Sequence, residues 1–403
     1  MKICWLAWAG LVALSLPARA QGTLTFAARA PLPWAHYGMG YCNDQNTIYQ
    51  VGGGSAFGAL SSDTFHYSVA TDTWTLDPGN YTPQRWTTAA LLDPNPSTGL
   101  VYVLNGQQSL ANDPATLVES VTVANGTNGP SSPNPQPLSG SGSAVWNGVL
   151  YCFGGSNGAI YSNALRSFNR LNSTWTTLAP MPEAKEARGA AVNGKIYVFG
   201  GYNGVANSSR VDAYDIATNQ WQALGTLPTT VSNQAVAVQG ELIWLVGDFT
   251  NQGYLAAYNT RTGQLRTFTS NLPPRRNAGA AVLNNQLYVW GGNTASANSS
   301  ALADMWRADV SSVLTAVPAA ASAPVQAWPN PLAASQLLHV ALPGAAGTHL
   351  TLLDAQGRLV LQGSYPAGTT QATLDLADQA VGLYLLRVET IGQPPATCLV
   401  VRQ

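Results

Sequence analysis

The chain has 403 residues, a formal net charge of −1 and only 9% charged residues. That balance excludes the basic stripe that gathers nucleic-acid phosphates and an electrostatic anchor on anionic lipid. Its 39 glycines and 12 tryptophans suit instead a large β protein with many tight turns. In chain order, Lys2, the apolar run Ile3 to Leu16 and Ala18-Arg19-Ala20 read as a signal peptide over residues 1–20. The run is too short to span a bilayer, and no later segment reaches transmembrane length. Cys42, Cys152 and Cys398 are too few to staple a fold; the first two sit in apolar runs, as buried thiols do.

From residue 21 to 310 one pattern recurs. "KIYVFGG" (195–201) is matched by "TIYQVGG" (47–53), "LVYVLNG" (100–106), "VLYCFGG" (149–155), "LIWLVGD" (242–248) and "QLYVWGG" (286–292). The spacing of about 45–50 residues is that of one four-stranded propeller blade. Upstream of these copies, Asn147-Gly148, Asn193-Gly194, Gln239-Gly240 and Asn284-Asn285 predict two-residue hairpin turns. Downstream stand an aromatic residue and, seven positions on, a tryptophan: Tyr67 with Trp74, Phe168 with Trp175, Tyr214 with Trp221. The fifth unit has Leu265 in the tryptophan place, and the second has Asn105 in place of the first glycine. The pairs Gly52-Gly53, Gly154-Gly155, Gly200-Gly201 and Gly291-Gly292 are expected to end second strands where blades pack close.

The spaced glycines, Tyr and Trp resemble the kelch repeat over roughly residues 22 to 310. The resemblance implies an all-β, six-bladed kelch propeller. The last unit stops after "DMWRADV" (304–310), while "LTFAARAPLP" (24–33) aligns with "STWTTLAPMP" (173–182), so an N-terminal strand at 23–28 is expected to close the last blade.

Residues 311–325 read as an Ala/Pro/Ser linker, and 326–403 as a small Ig-like β-sandwich of alternating short strands. Pro329-Asn330-Pro331, the "LLDAQGRLV" hairpin around Gly357, and "GLYLLRV" with Gly382 and Tyr384 resemble the type A C-terminal sorting domain of the type IX secretion system. The resemblance implies a Gram-negative host, a periplasmic passage, engagement of the type IX machinery through residues 326–403, and a secreted or cell-surface product.

The chemistry is sparse. No HExxH, GxSxG or phosphate-binding loop is present, and no metal or cofactor site is legible. A copper-radical oxidase of this fold needs two histidines and a cross-linking cysteine, whereas the propeller holds only His36 and His66, both in the first blade. A sialic-acid epimerase-like, carbohydrate-active enzyme is the alternative, with Glu183, Glu186 and Asp248 as lone candidate carboxylates. Binding or adhesion, with an extracellular glycan or protein as ligand, is the reading preferred over catalysis. Candidates for the ligand face are His36, Arg85, Lys185, Arg188 and Arg276 before inner strands, and Phe57, Asn157, Tyr202, Asn203, Phe249 and Asn293 in loops after the glycines. A polar, weakly cationic rim of this kind suits a carboxylate, an acidic glycan or a peptide. The insert "ANGTNGPSSPNPQP" (124–137) is expected to form a mobile loop beside this face or opposite it.

Overall fold

The computed structural model describes residues 21–56, 58–77, 88–91, 100–108, 113–122, 127–128, 132–315, 325–333, 336–344, 346–354, 358–390 and 396–403. The expected signal peptide, Phe57, Arg85, Gly357, linker residues 316–324 and parts of the 124–137 insert lie outside the described residues. Contacts divide the chain into two compact units, one ending at Ser312 and one spanning Val313–Gln403.

In the first unit, six antiparallel sheets begin with the inner strands Gly40–Asn43, Thr88–Leu91, Gly142–Trp146, Gly189–Val192, Ala235–Gln239 and Gly279–Leu283. Each inner strand contacts the next and the sixth contacts the first, which makes a closed ring of six blades. Glycine and alanine dominate these strands because six of them converge on one axis.

Blade 4 shows the local logic. Val192 pairs with Lys195 across Asn193-Gly194, whose φ angles of 50° and 75° are those of a two-residue hairpin turn. The apolar second strand Lys195–Phe199 follows, then Arg210–Asp215 and the outer strand Gln220–Thr226. Tyr214 is buried and packs on Trp221 at 5.3 Å, and Trp221 Nε1 donates to the Ala179 carbonyl at the end of blade 3 (2.8 Å). Trp175 of blade 3 reaches the Pro133 carbonyl in the same way (3.1 Å). In blades 3 and 4 the Phe/Tyr and Trp positions therefore bolt the blade to its predecessor, and burial of each ring is worth roughly 1.5–3 kcal/mol.

Gly200 and Gly201 have separate tasks. A Cβ on Gly200 would stand 2.2 Å from the Val231 carbonyl oxygen in the link to blade 5. One on Gly201 would stand 2.2 Å from the Glu186 carbonyl oxygen in the link of its own blade. The first glycine admits the next blade and the second admits its own link. Asn105 holds the first-glycine place of blade 2 at a φ of 57°, which asparagine tolerates; its buried amide donates to Ser141 Oγ (2.9 Å) and accepts from Asn134.

One hairpin differs from expectation. Gln239 pairs with Leu242, so the fifth turn is Gly240-Glu241. The Gln239 side chain is buried and accepts from Trp244 Nε1 (3.0 Å), which makes it a strand residue.

Ring closure lies in the sixth sheet, where Ala27–Arg29 pairs antiparallel with Met305–Asp309. Ala30 N–H and the Tyr67 hydroxyl share Asp72 Oδ1 (3.2 and 2.6 Å), as Ala179 N–H and the Tyr214 hydroxyl share Asn219 Oδ1 (2.9 and 2.8 Å). The start of the chain thus occupies the place of an ordinary outer strand. The strand is shorter and later than 23–28: Thr23–Leu24 runs parallel to Thr269–Ser270 instead. The Asn271 side chain takes both the N–H and the carbonyl of Phe26 (2.7 and 2.9 Å), and the ladder breaks there.

The second unit is a β-sandwich. A sheet of Ala327–Trp328, Leu338–Ala341 and Gln371–Leu374 and a four-stranded sheet of Thr348–Asp354, Leu359–Tyr365, Gly382–Thr390 and Ala396–Arg402 enclose one apolar core. Asn330, between Pro329 and Pro331, docks on the edge strand Ala396–Arg402: its Nδ2 donates to Leu399 O (2.7 Å) and its Oδ1 accepts from Val401 N–H (2.9 Å). Gly382 opens the long strand, and Tyr384 is buried, its hydroxyl donating to the Ala380 carbonyl.

Candidate functional site

One face of the ring is built from the links that precede the inner strands and the loops that follow the glycines. The two layers pair residue by residue: Tyr37 with Gly54, Ser139 with Ser156, Glu186 with Tyr202, and Arg276 with Asn293. The residue before each bridge is buried, as at His36, Leu138, Lys185 and Arg275. Its carbonyl accepts the N–H of a glycine on the preceding blade: Gly292 to His36 (2.8 Å), Gly106 to Leu138 (2.9 Å), Gly155 to Lys185 (2.8 Å).

That alternation corrects two expectations. His36 is a joint residue with no exposed surface, and burial lowers its pKa to about 4 although Asp63 opposes the shift. Lys185 is likewise buried; its Nζ meets Glu183 Oε2 at 3.0 Å, and its stem packs where a Gly201 side chain would stand. Burial works to raise the Glu183 carboxyl, but Lys185, Ser208 and Asn203 together hold it below the usual carboxylate range.

Other candidates are placed as follows. Arg276 is buried, with its guanidinium 4.0 Å from the centre of the exposed Phe249 ring and Nη2 donating to Ser296 Oγ (3.3 Å). Asn293 is buried and accepts from Asn277 Nδ2 (2.9 Å). Asn157 and Asn203 close their own loop tips through Oδ1, to Ala159 and Ile160 and to Val205 and Ala206. Asp248 is buried, and its carboxylate accepts the backbone N–H groups of Ser232, Thr250 and Asn251 (2.6–3.0 Å), so it shapes a loop. His66 bonds Asp77 Oδ1 at 2.7 Å on an outer strand of blade 1.

The axial channel has a volume of about 310 Å3 and is lined by described inner-strand residues of blades 1, 3, 4, 5 and 6. Arg188 is the cationic side chain in that lining. Its position reflects a shortened blade 4. In blades 1, 3, 5 and 6 the last residue of the second strand faces Gly40, Gly142, Ala235 or Gly279, whereas in blade 4 Phe199 N–H bonds the carbonyl of Arg188 (3.1 Å). Arginine thus stands where blades 1, 3, 5 and 6 hold glycine or alanine and blade 2 holds Thr88. Its Nη1 donates to the carbonyls of Gly140, Ser141 and Ala187 (3.0, 3.2 and 2.9 Å), while Nε and Nη2 make no hydrogen bond to described residues.

Glu186 lies beside it, against Gly140, where an added Cβ would come within 2.8 Å of its Cδ. Burial raises the Glu186 carboxyl and Arg188 opposes the shift; burial lowers the Arg188 guanidinium and Glu186 opposes that. Tyr161 and Tyr202 meet edge to face at 5.7 Å next to this pair, and Glu186 adds to the burial that raises the Tyr161 phenol. Glu186, Arg188, Tyr161 and Tyr202 therefore form one cluster, of which Arg188 lines the channel. Of the expected residues Glu186, Arg188 and Tyr202 lie in this cluster; Tyr161 was legible only as an aromatic beside a loop tip.

Deeper in the channel, Tyr41 of blade 1 reaches blade 5. Its hydroxyl accepts Val236 N–H (2.8 Å) and donates to Val236 O (3.2 Å), with the ring edge-on to Trp290 at 5.5 Å.

The sequence matches the KLHDC2/KLHL20/DRC7 Kelch-repeats domain family over residues 38–247, just over half of the chain. The chain belongs to the kelch-repeat family. Residues 326–401 of this kelch protein match the secretion system C-terminal sorting domain, that of the type IX machinery, which indicates export to the cell surface or beyond. No curated protein matches this kelch chain. Among its described residues no helix is long and apolar enough to cross a membrane.

Proposed function

We propose that the exported kelch propeller is a binding module whose channel mouth takes the carboxylate of a glycan or protein ligand. The observation that carries this reading is Arg188: three carbonyls fix Nη1, and no carboxylate of the described residues comes within ion-pair distance. A guanidinium so held presents its remaining N–H groups to an oxyanion at little further entropic cost. Ligands reach it from the blade 4 loops, past Tyr202. The mature protein acts at the surface of a Gram-negative bacterium or is released from it.

The test is calorimetric titration with an oligogalacturonate and, separately, a tetra-aspartate peptide. One of them binds, more weakly as salt is raised, and R188Q lowers its affinity about 10–100-fold, the worth of a charge-assisted hydrogen bond. Equal affinity of R188Q and wild type would overturn the reading.

Glu186 favours a second reading, a carbohydrate-active enzyme. A carboxyl raised by burial and beside a cation is suited to proton transfer. Under that reading an acidic sugar is converted, and E186Q stops product formation while leaving binding in place.

A further inference from the structure

The same face carries a second feature, on blade 1. A shallow groove of about 450 Å3 is lined by Trp34, Leu60, Ser61, Ser62 and Asp63 among others. Trp34 is outside the Tyr/Trp pattern of the repeat, and more than a third of it is exposed. Its ring is nonetheless fixed: Nε1 donates to Asp63 Oδ2 (3.0 Å), and the indole meets Phe65 edge to face at 5.2 Å. Ser61 Oγ donates to the same Oδ2 (2.6 Å). Asp63 Oδ1 accepts no hydrogen bond from described residues, and its side chain is 30% exposed. Behind it, His36 Nε2 stands 3.7 Å from Oδ2, and neither ring nitrogen of that buried histidine has a hydrogen-bond partner among the described residues.

We infer that this groove is a carbohydrate subsite in which a neutral pyranose ring stacks on Trp34 and gives hydroxyl hydrogen bonds to Asp63 Oδ1. The geometry suits a sugar for three reasons. An immobilised indole offers apolar area without further loss of rotamer freedom. A carboxylate oxygen open to the groove accepts strongly from a hydroxyl. His36 is neutral at neutral pH, so no cation behind the groove competes with a hydroxyl for Asp63. The Ser62 hydroxyl adds a donor and acceptor at the rim. Nothing here uses Arg188, so the subsite stands apart from the channel mouth.

The experiment is saturation-transfer NMR on the mature full chain with methyl β-glucopyranoside, methyl β-galactopyranoside and N-acetylglucosamine in excess. At least one sugar receives saturation, strongest on the protons of its apolar ring face. W34A abolishes the transfer, W34F retains it at a several-fold lower affinity, and D63N weakens it while keeping an acceptor for Trp34 Nε1. R188Q leaves it unchanged, which separates failure of this subsite from failure of the channel reading. The inference is overturned if wild type shows no transfer from any of the three sugars. It is also overturned if both Trp34 variants bind like wild type; W34F keeps a ring against Phe65, so it tests the site even where W34A does not fold.

Discussion

The glycine pair admits a quantitative test within one blade. Gly194→Ala and Gly200→Ala both place a Cβ at positive φ, 75° and 57°. At Gly194 the nearest neighbour of that Cβ is the Trp146 ring at 3.9 Å, an ordinary contact. At Gly200 it would be 2.2 Å from Val231 O and 2.6 Å from Val231 Cγ2. The left-handed backbone alone costs about 1–2 kcal/mol for an L side chain, and this term is common to both variants. The clash at Gly200 forces blade 5 away by nearly an ångström, or strains blade 4, at a further cost of about 1–3 kcal/mol. For a domain of this size, about 2 °C of melting temperature goes with each kcal/mol. Thermal unfolding followed by tryptophan fluorescence should therefore show Gly200→Ala melting about 2–6 °C below Gly194→Ala. Equal melting temperatures would refute the claim that close approach of the next blade, and not the turn conformation, requires this glycine.

Three further outcomes are expected. His36 has a folded pKa lowered from 6.5 to about 4, so its contribution to stability is complete above pH 6.5 and is lost as pH falls toward 4. The loss is on the order of 3 kcal/mol over that window, and H36Q should flatten the slope of melting temperature against pH there. Deleting residues 22–30 removes the strand that completes blade 6 and the Arg29–Asp72 ion pair (3.1 Å) and should strongly lower the melting temperature; an unchanged value contradicts closure. Deleting residues 326–403 should hold the protein in the periplasm, as cell fractionation would show, and normal arrival in the medium would exclude a sorting role for the match at 326–401.

The ring could be read from the sequence because its landmarks are steric. A glycine pair, an Asn-Gly turn and a stacked Tyr–Trp pair each answer a local packing need that returns in several blades. The alignment of "LTFAARAPLP" with an outer strand was legible for the same reason, since Ala30 repeats the backbone bond of Ala179. The face was less legible because its residues alternate between a buried joint and the channel, and that register depends on the pairing of link with loop. Lys185 and Arg188 look alike as basic link residues, yet one is a buried ion-pair partner and the other lines the channel. The missing residue in blade 4 lies between two motifs that each remain intact, so spacing by motif does not reveal what it does to Arg188. Trp34 was obscured by abundance: in a chain with 12 tryptophans, its place outside the repeat pattern carries no signal until its exposure is known.

The pairing of Ala27–Arg29 with Met305–Asp309 also constrains how the ring can form. A chain synthesised N-terminus first presents this strand before any of its partners exist. Five blades can fold in sequence from local contacts, but the sixth needs both ends of the propeller, at a large loop-closure distance. The first strand to emerge is therefore among the last to dock, and until then blade 6 has an open edge and Asp72 has no Arg29. Until both ends of the propeller meet, that open edge is the part of the ring most exposed to mispairing.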